Sequence, residues 1–542
     1  MARLRTLPEA LAKAARADAG YLFLSADGGG AAPDAASGTY RSYADMQRLS
    51  WQVARALRDA RVRRGDLVAI VLADAEQFLT TLFGASMAGV VPASLYPPST
   101  MGELPRYLEQ TARLLRACSA RVVVTSRTLA PSFEAARASC PDLALVLARE
   151  DFDGDAPEPA APPSLDDIVL VQFTSGSTSR PKGVALSHRN LAANVDAING
   201  PAGLATTDAD IGVSWLPLNH DMGLIGMALG PLFSARRGVL LPPHVFVKRP
   251  GEWLRAISRH RATISFAPNF AYDLCVRRVK DKDLEGLDLS CWSVAGCGAE
   301  PIHPPTLAAF AEKFAPAGFR ATSFLPCYGL AEHVLAATFP PRHRAPRVED
   351  AFVSCGSPLP GHMLRIVDEE GRPAADGQIG EIALAGPSVM LGYYNDAELT
   401  RQTIRDGWLY TGDLGYLSNG ELFVCGRVKD VIIVNGRKFH PQDLEWAVDD
   451  LAGVRRGRVV AFGTMQRGGP DRIVVVAEPS GTVPSDVLID AIRRRISDDF
   501  GLYVDEVALV PSGTVGRTTS GKVQRAATKA RYERDELMET AS

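Results

Sequence analysis

Residues 172–183 read Gln-Phe-Thr-Ser-Gly-Ser-Thr-Ser-Arg-Pro-Lys-Gly and follow directly on the apolar run Ile168–Val171. A buried strand leading into a hydroxyl- and glycine-rich loop brings backbone N–H groups and short hydroxyls close to a polyphosphate. Thr174, Ser175, Ser177 and Thr178 can donate hydrogen bonds, Gly176 lets the backbone approach, and Lys182 adds a point charge. The loop is not a Walker A motif, because five residues separate Gly176 from Lys182 and Gly183 follows the lysine. On composition alone, a surface linker fits the same residues.

Other segments carry chemistry of their own. Ala295-Gly-Cys-Gly-Ala-Glu-Pro301 begins like a dinucleotide fingerprint, but Pro301 stands where the third glycine belongs. Gly516-Arg-Thr-Thr-Ser-Gly-Lys522 meets the first seven positions of Walker A, yet Val523 replaces the hydroxyl residue and only 20 residues follow Lys522. Those are too few for the sheet such a site needs. Glu332, in Tyr328-Gly-Leu-Ala-Glu332, offers the hard oxygen that Mg²⁺ prefers, although a solvated glutamate near a helix start fits it alone. Thr411-Gly-Asp413, taken as an isolated triplet, fits a simple turn equally well. His220 lies in Leu218-Asn-His-Asp-Met-Gly223, where Asp221 can orient its ring.

Taken in order, with Trp215–Gly223, Gly426-Arg-Val-Lys-Asp430 and Thr519-Ser-Gly-Lys522, these segments resemble the adenylate-forming superfamily. That superfamily comprises acyl-CoA synthetases, fatty acyl-AMP ligases, luciferases and peptide-synthetase adenylation domains, and the resemblance covers essentially the whole chain. It implies ATP and Mg²⁺, with the 174–183 loop on the β- and γ-phosphates and Glu332 on the metal. It implies that Gly298, Ala299, Glu300 and Pro301 line an adenine pocket with Tyr328 and Gly329 beside them, and that Asp413 and Arg427 hold the ribose. Lys522 is then the catalytic lysine, reaching the α-phosphate and substrate carboxylate, a task suited to a compact charge on a long stem. His220 borders the carboxylate and phosphate path. It is not assigned as a general base, since a carboxylate nucleophile is already ionised at pH 7. Lys429 is the implied hinge between domains 1–428 and 429–542.

Trp253-Leu-Arg-Ala-Ile257, Ala267–Leu274, Cys291-Trp-Ser-Val294 and Gly436-Arg-Lys-Phe-His-Pro-Gln442 resemble the fatty acyl-AMP ligase branch, as does Ala331 before Glu332. That branch passes an acyl-adenylate to the phosphopantetheine thiol of an acyl carrier protein. Asn269, Phe270 and Tyr272, after Pro268, are the expected acyl-pocket residues, although ordinary core fits them too. The branch carries an insertion after its glutamate motif, tied to weak CoA use, and here only a short segment separates Phe339 from Val353. A fatty acyl-CoA ligase therefore stays open as the alternative. A non-catalytic binding protein is disfavoured by the presence of Glu332, Asp413 and Lys522 together. No carrier attachment motif occurs, so the expected carrier is a separate protein.

The elements that must position these residues follow from apolar patterning. Leu67–Leu72, Val90–Ala93, Arg121–Thr125, Asp210–Trp215, Ala262–Phe266 and Cys291–Ala295 read as strands alternating with helices such as Ala75–Ala88. Residues 153–166 read as an acidic, proline-rich surface crossing. Residues 363–426 change to short strands, with Asn419-Gly420 a hairpin turn. After Val431–Val434 a helix opens at Pro441, and Arg458–Ala461, Ile473–Ala477 and Glu506–Val510 read as strands. The expected fold is α/β: a large N-terminal domain of α/β subdomains with a small β-rich subdomain, then a small mobile α+β domain. A length of 542 residues requires more than one core, and 46% hydrophobic with 22% charged residues is a soluble globular composition. A net charge of −3 gives no case for nucleic acid, and no apolar run approaches membrane-spanning length. With eight scattered cysteines and no apolar leader at Met1–Pro8, the expected compartment is the cytoplasm.

Overall fold

The computed structural model describes residues 4–25, 38–98, 104–159, 162–174, 182–434, 437–465, 471–518 and 523–537. By contact density the chain groups into two units. One comprises residues 1–176, 180–364 and 383–410, the other 177–179, 365–382 and 411–542. The chain is α/β, as the patterning predicts.

The first unit contains two seven-stranded sheets. One runs in the order Phe324–Pro326, Val294–Cys297, Ile264–Ala267, Ile211–Ser214, Arg237–Leu240, Gly20–Leu24, Gly38–Ser42, all parallel except the last. The other runs Gly392–Tyr393, Lys182–Ser187, Ile168–Thr174, Val91–Ser94, Leu67–Val71, Val122–Thr125, Leu145–Ala148. In it Ile168–Thr174 and Lys182–Ser187 form an antiparallel pair, with Thr174 opposite Lys182, so the glycine-rich loop joins two neighbouring strands. Leu67–Val71 is buried at every residue, as a strand covered on both faces must be. The strand expected at Cys291–Ala295 begins later, at Val294. Trp292 turns its indole into the core and donates to Val294 O (2.8 Å), which holds 291–293 in a turn.

One side of the first sheet carries an aromatic core. Trp253 packs edge-on against Trp215, Tyr272 and Trp292, and Phe310 packs edge-on against Tyr272, Trp292, Phe319 and Phe324. Such pairs add about 0.5–1.5 kcal/mol each beyond the area they bury. Their polar ends are satisfied within the sheet: Trp253 Nε1 donates to Ser265 Oγ (2.8 Å) and Tyr272 Oη to Gly296 O (2.8 Å).

The second unit holds the hairpin of 411–418 with Glu421–Arg427, turned through Asn419 (φ 53°) and Gly420 (φ 76°). Positive φ at both positions is the twist-matched two-residue turn that Asn-Gly favours. Farther on, Val454–Met465 pairs antiparallel with Asp471–Pro479, which pairs parallel with Glu506–Leu509. Alternation divides this sheet between two cores. Val459, Ala461, Val475 and Ala477 face the helices Pro441–Asp449 and Ser485–Phe500, while Val460, Phe462, Val474 and Val476 face Val515 and Leu537. All eight cysteines are unpaired thiols. Among the described residues no helix is long and apolar enough to cross a membrane.

Two buried histidines make stability depend on pH. His188 accepts from Leu7 N (3.0 Å), and burial lowers its pKa to about 4; burial lowers that of His333 to about 3. The unfolded chain takes up both protons near pH 6.5, whereas the folded chain excludes them until much lower pH. Their contribution is complete above pH 6.5 and is lost as pH falls toward the folded values. Urea unfolding is expected to show a loss of about 1–2 kcal/mol per histidine between pH 6.5 and 5, partly offset by Asp443, whose carboxyl burial raises to about 6. His333→Gln should remove part of that slope.

Candidate active site

The parallel strands end together, and the loops beyond their C-terminal ends bring several expected residues close, as open α/β sheets do. After Val294–Cys297 comes Gly298, buried against Cys327, then Ala299 at φ 67°. Glu300 turns back, its Oε1 accepting from Phe270 N (2.6 Å) at the start of helix Asn269–Arg278. Asn269 Oδ1 in turn accepts from His303 N (3.1 Å), so the segments around 270 and 300 are tied to each other. After Phe324–Pro326, Cys327 N donates to Cys297 O (2.8 Å), and Tyr328-Gly329 pairs with Ala336–Phe339. Gly329 is required by close approach: a Cβ there would lie 1.8 Å from Leu335 O.

Glu332 sits on the tight turn Ala331–His333. Its backbone oxygen accepts from Met390 N (2.9 Å), and its Oε1 accepts from the Tyr393 hydroxyl (2.9 Å). The Tyr393 ring carries Lys182 Nζ 5.2 Å from its centroid. Tyr393 thus joins the carboxylate to the lysine at the end of the glycine-rich loop. Sequence reading missed it, because a tyrosine 61 residues from Glu332 has no chemistry of its own; Gly392-Tyr-Tyr-Asn395 was the available signal. Behind the turn, Asn194 Nδ2 donates to Ala336 O (2.8 Å) and Ser388 Oγ (3.1 Å), and His362 Nε2 meets Ser388 Oγ at 2.5 Å. Buried Val334, at φ 65°, lies in a region that a β-branched residue rarely occupies.

His220 is half-buried, between Ile211–Ser214 and the π-helical turns Met222–Leu229. Gln172 Nε2, from the strand before the glycine-rich loop, donates to Asn219 O (2.5 Å), which brings the His220 segment to that strand. Asp221 accepts from Met222 N (2.7 Å). Thr174 ends its strand opposite Lys182; Ser175, Gly176, Ser177 and Thr178 lie outside the described residues, as does Lys522.

A cavity of about 60 Å³, counted as space for the centres of water-sized molecules, is lined in part by Ala299, Tyr328 and Gly329. Ile264 and Phe266 form part of its wall. The intervening Ser265 instead bonds Trp253 on the aromatic side, so the cavity and the aromatic core lie on opposite faces of one strand. Asn269, Phe270 and Tyr272, expected to line an acyl pocket, are not in its wall. Tyr272 is fully buried in the aromatic core, with its hydroxyl given to Gly296. Cys327 does line the cavity, and burial pushes its thiol up to about 12.

In the second unit, Asp413 is buried in the hairpin opposite Arg427 and pairs with its Nε at 2.9 Å. Asp413 N donates to Thr411 Oγ1 (3.1 Å), and Gly412 N donates to Glu381 Oε1 (2.9 Å). Lys429 lies in the turn Val428–Asp430. Asp430 is clamped by Arg525 (2.8 Å), which also grips Glu445 (2.7 Å). Gln524 N donates to Gly516 O (2.9 Å) and Arg517 bridges Val523, so the base of the loop that carries Lys522 is closed.

Residues 23–394 match the family of AMP-binding enzymes. The chain is 36% identical to a putative acyl-CoA synthetase of Caulobacter vibrioides, over 90% of both chains. It is 33% identical to the medium-chain-fatty-acid–acyl-carrier-protein ligase JamA of Moorena producens, over 91% of this chain and 89% of that one. Its fold is similar to a solved structure from studies of the fatty acyl-adenylate ligases of E. coli and L. pneumophila, with a TM-score of 0.89, 35% identity and 98% of each chain covered.

Gly329→Ala tests the packing on which the site rests. Its Cβ would meet backbone at 1.8 Å, which no rotamer relieves. A loss of about 3 kcal/mol or more in urea unfolding is expected, at the upper end of overpacking effects.

Proposed function

The chain belongs to the AMP-binding enzymes, and from that premise we propose that it activates a medium- or long-chain fatty acid with ATP and passes the acyl group to a carrier-protein thiol. The fatty acid carboxylate attacks the α-phosphorus, the bond to pyrophosphate breaks, and acyl-AMP forms. The phosphopantetheine sulfur of a holo-acyl carrier protein then attacks the acyl carbon and AMP leaves. The observation that carries this reading is the shared boundary at Ala299, Tyr328 and Gly329. These residues follow the C-terminal ends of parallel strands, where open α/β sheets bind ligands, and they also line a largely apolar cavity. An adenylate seated there would have its acyl chain in the cavity.

Roles follow from this reading. Gly298, Ala299, Glu300, Pro301, Tyr328 and Gly329 would border the base. Asp413, oriented by Arg427, would accept from the ribose hydroxyls. The 174–178 loop and Lys182 would hold the outer phosphates, and His220 would border the path of the carboxylate. Mg²⁺ fits a single carboxylate that leaves most of the shell to phosphate and water. Among the described residues no cluster of three or more ligating side chains exists, and Glu332, steadied by Tyr393, offers the one hard oxygen donor this arrangement needs. When bound, the ion would offset phosphate charge. Lys522 would add its charge at the α-phosphorus during adenylation. Rotation at Lys429, the boundary between domains 1–428 and 429–542, would withdraw it for transfer.

Acyl-CoA formation is the second reading. It is favoured by the segment after Phe339, where only the short hairpin Val348–Glu349 with Phe352–Val353 stands. Titrating CoA and a holo-carrier protein as acceptors against the same acid separates the two. The carrier is expected to have the higher kcat/KM, and a ratio about tenfold in favour of CoA would assign the second reading.

Lys522→Ala is expected to slow acyl-AMP formation by about 10²–10³-fold, the scale of losing one preorganised donor. Transfer from preformed acyl-AMP should be much less affected. Single-turnover assays of each half-reaction check this, and equal losses in both would remove Lys522 from its role.

A further inference from the structure

The cavity runs the length of the parallel strands. Its lining extends from Ala299 and Gly329, beyond their C-terminal edge, to Gly212 and Arg236. Arg236 immediately precedes the strand Arg237–Leu240, whose first residue is in register with Ile211, so it stands at the opposite, N-terminal edge. Four strand residues separate the edges, about 13 Å, the reach of a medium-chain acyl group.

Arg236 is only 5% exposed. Its Nη2 donates to Asn199 Oδ1 (2.8 Å), another residue of the wall, while Nε is buried with no hydrogen-bond partner. Among the described residues it has no ion pair. Asp210 is the largest of the influences that favour its charge, with Tyr43 and Asp208 after it, and Asp210 spends its oxygens on Thr207 N (2.7 Å), Thr207 Oγ1 (3.2 Å) and Thr263 Oγ1 (2.7 Å). Arg342 adds a second positive charge to the neighbourhood; it donates to Leu204 O and to Ser293 Oγ (3.0 Å), and its own Nε is also buried without a partner. Burial lowers the Arg236 pKa, a sign that its charge is poorly compensated. An unpaired buried charge is costly, and an apolar side chain would close this wall more cheaply.

We propose that the cavity takes a fatty acid bearing a carboxylate at its far end, a dicarboxylic acid, and that Arg236 is the residue that selects it. The inference rests on the adenylation reading and names its substrate class: one carboxylate reacts at the Ala299 and Gly329 end while the other pairs with the planar guanidinium fork. A terminal hydroxyl would satisfy a donor but leave the charge unpaired.

The test measures pyrophosphate release for wild type, Arg236→Met and Arg236→Lys with monocarboxylic and dicarboxylic acids of matched carbon number. Thermal unfolding verifies that each variant is folded. Wild type is expected to favour the dicarboxylic acid of at least one length by about tenfold or more in kcat/KM, and Arg236→Met to reverse that preference with KM for ATP unchanged. Arg236→Lys, which keeps the charge without the fork, should fall between. A wild type that prefers the monocarboxylic acid at every length, or a methionine variant that keeps the dicarboxylic preference, overturns the proposal. If no acid of either series releases pyrophosphate, the adenylation reading itself fails. Calorimetric binding of the dicarboxylic acids then decides: tighter binding by wild type than by Arg236→Met upholds the role of Arg236, and equal binding overturns it.

Discussion

Successive side chains of the strand Ile264–Ala267 point to opposite faces of its sheet, and this alternation separates solid packing from enclosed space. Ser265 reaches into a face where Trp253, Tyr272, Trp292 and Phe310 interlock and tie their polar atoms to the sheet. Ile264 and Phe266 project from the other face into the cavity. The absence of a side chain at Gly296, where a Cβ would lie 1.9 Å from the Phe266 ring, lets that ring lie over the neighbouring strand. A rigid aromatic layer therefore backs a wall that must stay open, and the loops bearing Ala299 and Tyr328 start from strands held by that layer.

The Glu332 turn is constrained differently, since it holds its carboxylate against the Tyr393 hydroxyl while the backbone beside it is strained at Val334. Val334 occupies its unfavourable conformation because neighbours on every side dictate it: Asn194 and His333 engage Ala336, and Met390 donates to Glu332 O. Strain of this kind persists only where surrounding bonds over-determine the geometry. The Tyr393 hydroxyl extends the same control to the carboxylate itself.

Most of the strand positions were legible in the sequence, because buried parallel strands are continuous apolar runs and the Asn419-Gly420 turn carries its own backbone preference. Boundaries moved where a side chain overrode the pattern, as the Trp292 indole does at the start of Val294–Cys297. The motifs identified the candidate site residues by type and order. What they did not carry was contact across distance: Tyr393 against Glu332, Gln172 against Asn219, and Arg525 between Asp430 and Glu445. Nor does an apolar run reveal which face of its strand encloses space. Tyr272 and Phe266 are equally apolar neighbours in sequence, yet one is packed solid and the other borders a cavity.

The half-buried thiol of Cys327 has a consequence for chemical selectivity among sulfurs. An acyl-adenylate is an electrophile awaiting a sulfur nucleophile, and in the proposed arrangement Cys327 would be a resident sulfur on the wall beside its reactive end. Nucleophilic attack requires the thiolate, and a thiol pushed up to about 12 holds almost none at neutral pH. Desolvation in the wall would thus quiet the enzyme's own sulfur, leaving the activated acyl group to a thiol that arrives from outside.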